Sequence, residues 1–130
     1  MKVNVKGKQI EHNPEQVYLF PDSDMGTGKI VSIFPINMGK LLENYPNHFG
    51  KKIDPYLKAI LGNCNKYLEM DEESRRKIPI NQRLIPMEEC RNAPGSEEIV
   101  SCLEKEGDRV KDYRLEGVRR TKEILERLVN

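Results

Sequence analysis

The segment Met25-Gly26-Thr27-Gly28-Lys29 sets two glycines and a lysine where backbone N–H groups and one ammonium could gather around anionic oxygens. The full phosphate-loop pattern is not met. Its first glycine would fall at Ser23, and Ile30 follows Lys29 where a magnesium-binding Ser or Thr would stand. The next run also reads as a strand, so nucleotide hydrolysis is not expected. A glycine-rich hairpin turn is the plain expectation. The functional alternative is a loop whose free N–H groups at Gly26, Thr27 and Gly28, with Lys29, touch an anionic ligand.

The second group with chemical potential lies near the C-terminus. Arg109, Lys111, Arg114, Arg119, Arg120, Lys122 and Arg127 alternate with Glu104, Glu106, Asp108, Asp112, Glu116, Glu123 and Glu126. The pairs Glu116–Arg120 and Glu123–Arg127 have the favourable i, i+4 order. A salt-bridged solvated face accounts for most of this pattern. Any of Arg114, Arg119 and Arg120 left unpaired would suit phosphate, because a planar guanidinium binds two oxygens at once. Tyr113 could stack on a base or pack in the core. Arg75, Arg76, Lys77 and Arg83 form another basic group that could converge with the first.

Other chemistry has little support. Asp22 and Asp24 lack the further acidic ligands of a calcium loop and read as turn caps. His12 and His48 stand in Asn- and Pro-rich loops without the spacing of a zinc site. Each reads as a solvated loop residue, with a general-base role open. No G-x-S-x-G occurs. Cys64 and Cys102 read as core or near-core positions of helices. Neither a metal nor a cofactor is expected.

Composition bounds the class. The chain has 130 residues, 37% hydrophobic and 33% charged, with a net charge of +1 and a mean hydropathy of −0.70. Patterned apolar residues and nearly cancelled charge argue for a folded domain rather than a disordered tail. No 18-residue apolar run exists, and the N-terminus lacks the apolar stretch of a signal peptide. Three dispersed cysteines imply reduced thiols in a cytoplasmic protein. Balanced charge lowers the expectation of a dedicated nucleic-acid binder.

The elements that must position these groups follow from periodicity. Val3, Val5 and Ile10 predict a short strand broken near Gly7. Residues 15–20 and 29–36 predict two more, bounded by Pro14, Pro21 and Pro35, for a three-stranded antiparallel meander. Asn37 caps a short helix through Leu41 and Leu42 to Tyr45. Asp54-Pro55 starts a second, with Leu57, Ile60, Leu61, Cys64 and Leu68 on one face and an end near Met70. After the charged stretch 71–77, prolines at 79 and 86 predict an extended segment or edge strand. Ser96 then caps a helix whose stripe runs Ile99, Leu103, Val110, Tyr113, Val118, Leu125, Leu128, with Gly107 and Gly117 on or beside it.

Unbroken, that last helix would have about 32 residues and extend roughly 48 Å, against a radius of gyration near 14 Å for a chain of this length. Either it breaks near Gly107 or its overhang pairs with a second copy. The expected protein is thus one α+β domain over 1–130: strands in 1–36, helices and an extended segment in 37–93, and a C-terminal helix in 94–130. Its layout resembles that of some small phage proteins that sequester nucleotide signals, a resemblance of architecture alone. No function is inherited from it; an anionic, nucleotide-like ligand is expected from the arginines beside the helix. The expected function is a non-enzymatic, homo-oligomeric binding protein for an anionic ligand, using Arg114, Arg119, Arg120, Lys29, Gly26, Thr27, Gly28 and Tyr113. The alternative is a nucleic-acid binder using the basic residues of the C-terminal helix, and third comes a small enzyme built on His12 or His48. No membrane partner is expected.

Overall fold

The computed structural model describes residues 1–5, 7–44, 54–80, 105 and 112–129. The chain is α+β, as expected: two small antiparallel hairpins precede the helices, and a helix closes the chain. The strands do not form one three-stranded meander. β1 (Lys2–Val5) pairs with β2 (Lys8–Glu11), and β3 (Leu19–Ser23) pairs separately with β4 (Ile30–Pro35). What reads as one broken strand is a hairpin, because Gly7 takes a φ of 78° and reverses the chain. Val3 then faces Ile10 across the pair, and Val5 and Ile10 enter the core.

The second hairpin contains proline inside a strand. Pro21 stands opposite Ile33, whose N–H is bonded not across the pair but to the Pro79 carbonyl at 3.0 Å. Pro21 and Ile33 are therefore a non-hydrogen-bonded pair, and the N–H that proline lacks would have pointed away from β4. For this reason β3 begins at Leu19 and runs through Pro21 rather than ending before it. Phe20 and Phe34 stack across the hairpin with centroids 5.7 Å apart. Ile80 bridges Ile33 in parallel, so the start of the expected extended segment runs beside β4. The remainder of that segment, and Cys90 and Cys102, lie outside the described residues.

Helix α1 (Met38–Asn44) buries Met38, Leu41 and Leu42. Helix α2 (Asp54–Glu69) buries Leu57, Ile60, Cys64 and Tyr67 at spacings of three and four, the stripe expected for a helix with one face on the core. Burial pushes the Cys64 thiol up to about 12. Helix α3 (Glu72–Lys77) occupies the stretch expected only to be charged. Asp71 caps it, accepting from the Ser74 N–H at 2.7 Å and from its hydroxyl at 3.1 Å, and these bonds hold the carboxyl below its ordinary range. Among the described residues, no helix is long and apolar enough to cross a membrane.

Helix α4 (Tyr113–Val129) has a definite start. Asp112 accepts from the Leu115 N–H at 3.1 Å through Oδ1, in the position of a helix cap. Seventeen residues reach about 26 Å, and a turn at Asp112 precedes them, so of the two expected arrangements the helix is the interrupted one. Gly107 lies outside the described residues. Val118, Ile124, Leu125 and Leu128 are buried within the chain, where α4 packs on α2 and β3. Buried side chains from both hairpins and from α1, α2 and α4 form one core.

Candidate functional site

Where α2, α3 and α4 meet, Tyr67, Glu72, Arg75, Arg76, Asp112, Tyr113 and Arg114 line a recess of about 230 Å³. Tyr67, on the last turn of α2, forms part of its wall and is fully buried. The Asp71 cap starts α3 and so brings Arg75 and Arg76 to the rim. The Asp112 cap starts α4 and does the same for Tyr113 and Arg114. Arg114 reaches the end of α3, where its guanidinium donates to the carbonyls of Ile78 at 2.8 Å, Arg76 at 3.2 Å and Arg75 at 3.4 Å. A cation there also opposes the negative end of the helix.

Among the described residues the recess is cationic, with three guanidinium groups against the carboxylates of Glu72 and Asp112. Arg76 pairs with Glu72 at 2.7 Å on the outside. Arg75 binds the Met70 carbonyl and stands 3.9 Å from Asp112. Two buried groups in this wall lack a hydrogen-bond partner among the described residues: the Tyr67 hydroxyl and the Arg75 Nε. Burial pushes the Tyr67 hydroxyl up to about 12, against the pull of Arg114 and Arg75, so it is a proton donor at neutral pH. Leaving each such group unpaired costs about 1–3 kcal/mol. An acceptor oxygen drawn into the recess would recover part of that cost.

The residues proposed from sequence are brought together only in part. Arg114 and Tyr113 do converge with Arg75 and Arg76. Arg119 stands on the exposed side of α4, bonded to Glu116. Arg120 donates to the Val17 carbonyl at 3.2 Å and lines a different cleft. The 26–29 loop lines neither space, and three of its N–H groups are already bonded within the turn. Gly26 N–H is bonded to Asp24 Oδ1 (2.9 Å), Gly28 N–H to the Asp24 carbonyl (2.7 Å) and Lys29 N–H to Thr27 Oγ1 (3.3 Å). Gly28, at a φ of 71°, turns its carbonyl to Lys66 Nζ at 2.8 Å. The segment is a self-bonded hairpin turn. Tyr67 was not legible as a site residue, since the stripe read on α2 (Leu57, Ile60, Leu61, Cys64 and Leu68) passes it by.

His12 departs furthest from expectation. It is 3% exposed rather than solvated, and neither ring nitrogen has a partner among the described residues. His48 lies outside those residues. Burial, reinforced by the Met1 ammonium, lowers the His12 pKa below its ordinary 6.5, while Glu11 and Glu43 act more weakly the other way. The unfolded chain then binds a proton that the folded chain refuses. The associated stability is present above 6.5 and is lost as pH falls from there toward the folded pKa. Urea midpoints should drop between about pH 7 and about pH 5, and the drop should be smaller in His12→Phe. Equal pH dependence in the two proteins would contradict a buried neutral imidazole.

Among the described residues no group of three or more His, Cys, Asp or Glu could hold a metal ion. Comparison of the chain with protein-family models, curated proteins and solved structures finds no match, and so lends nothing to the architectural resemblance to phage proteins that sequester nucleotide signals.

Proposed function

We propose that this chain is a non-enzymatic binding protein for a small phosphate-bearing anion, held in the recess between α2, α3 and α4. The observation that carries this reading is the convergence of Arg75, Arg76 and Arg114 on a wall with two unpartnered buried donors, the Tyr67 hydroxyl and the Arg75 Nε. The volume of about 230 Å³ falls below the roughly 300–1,000 Å³ of pockets that enclose whole drug-sized ligands. It suits a phosphate group, with any nucleoside lying outside beside Tyr113. A nucleic-acid role gains no comparable support, because Arg119 pairs with Glu116 and Lys122 with Glu126 on α4. Self-association through the C-terminal stripe loses its motive for the portion that α2 and β3 already cover.

Titration calorimetry with adenosine monophosphate and inorganic phosphate tests the reading. Arg76 is exposed and Tyr67→Phe removes only an oxygen, so Arg76→Gln and Tyr67→Phe should both stay folded. Each should weaken binding about tenfold, the worth of one hydrogen bond to a charged group. Undiminished affinity in both folded variants, or no heat with either probe, would remove the recess as the site.

A further inference from the structure

We propose that Asp112 makes the recess between α2, α3 and α4 selective for an oxyanion that carries a proton, a monoprotonated phosphate or phosphomonoester, against sulfate. The proposal rests on the reading of this recess as an anion site and adds which anion it accepts.

The two carboxylate oxygens of Asp112 are placed differently. Oδ1 accepts from the Leu115 N–H at 3.1 Å and so starts α4. Oδ2 stands 3.9 Å from Arg75 Nη2, too far for a hydrogen bond, and no other donor reaches it among the described residues. The side chain lines the recess and is 37% exposed, so a solute can meet it. A carboxylate only accepts, and a guanidinium only donates. A bare oxyanion therefore suits Arg75, Arg76 and Arg114 but is repelled at Asp112. A P–OH oxygen suits both sides at once, accepting from a guanidinium and donating to Oδ2.

Phosphomonoesters lose their second proton near pH 6, so both of their forms exist around neutrality. Sulfate has no proton to give there. The charged and titratable groups facing Asp112 are Arg75, Arg76 and Glu72 of α3, Tyr67 of α2, and Tyr113 and Arg114 of α4. The arginines keep their charge throughout, Glu72 is turned to Arg76 at 2.7 Å, and burial pushes Tyr67 up to about 12. Acid weakening of the fold through His12 would lower affinity at low pH, opposite to the trend expected here.

Titration calorimetry of the full chain with adenosine monophosphate, inorganic phosphate and sodium sulfate tests the proposal, at about pH 5.5 and about pH 7.5, either side of the second proton. Inorganic phosphate should bind at least about tenfold tighter than sulfate, the worth of one hydrogen bond to a charged group. Affinity for adenosine monophosphate should fall several-fold from the lower pH to the higher. A site made of donors alone would show the reverse, because a second negative charge strengthens its hold. Asp112→Asn keeps the helix cap, since Asn serves as well there, and puts a donor where Oδ2 was. It should abolish the preference for phosphate over sulfate. Equal affinities in the parent, or an unchanged ratio in folded Asp112→Asn, overturns the proposal and leaves the anion site standing. Absence of binding by all three probes removes the site and the proposal together. If Asp112→Asn does not fold, the parent decides alone, and monophosphate affinity that rises with pH overturns the proposal.

Discussion

Leu125→Asp should leave the chain largely unfolded at 25 °C, not produce a folded monomer from an oligomer. Leu125 is 1% exposed on the buried face of α4, in the same core as residues from both hairpins. Removing its branched side chain costs about 2–5 kcal/mol in lost transfer and cavity energy. Enclosing an unpaired carboxylate in its place adds several kcal/mol more. Together these approach or exceed the roughly 5–15 kcal/mol that holds a domain folded. Circular dichroism and amide dispersion should both collapse. A well-dispersed spectrum with a lower molecular mass would show instead that Leu125 lies at an interface between copies.

Gly117→Ala should destabilise the protein although alanine is the better helix former. A Cβ at 117 would stand 2.8 Å from both Cγ and Cδ1 of Leu19 and 3.2 Å from its Cβ. Leu19 is fully buried on β3, so it has little room to yield. Overpacking of this kind costs about 1–3 kcal/mol, against up to about 1 kcal/mol of helix propensity gained. A melting temperature lower by several degrees is expected. Gly62 on α2 provides the contrast, because it is exposed and a Cβ there meets nothing within 4 Å. Gly62→Ala should stabilise by up to about 1 kcal/mol. If Gly117→Ala melts higher as well, Leu19 can move and the close approach of α4 to β3 is not tight.

The strand 30–35 and the stripe of α2 are legible in the sequence because one face of each is apolar at a single period. Helix α3 is not, since none of its residues is buried and periodicity has nothing to register. Its signal was the cap, an Asp followed three residues later by a Ser whose N–H it holds. The displacement of β3 traces to Pro21, which reads as a stop although its missing N–H faces away from the pair. An interruption of the C-terminal stripe was open in the sequence, but its place was not, because Asp112 reads as one more charge in a charged face while its side chain starts a helix. In the site, the convergence of Arg114 with Arg75 and Arg76 was visible as a possibility, but its floor was not. The glycine loop differs for the converse reason: Asp24, just before the motif, takes the N–H groups of both its glycines.

Helix α3 stands on its two ends, the Asp71 cap and the Arg114 guanidinium that gathers three of its closing carbonyls. With no side chain of its own in the core, it opens at a free energy set by those ends and not by global unfolding, so its amide protons exchange through local fraying. Arg114 also lines the recess. An anion that drew the guanidinium toward itself would loosen the last turn of α3, and an intact last turn would in return hold the guanidinium back from the anion. Occupancy and fraying are then two readings of one coupling free energy, equal in both directions.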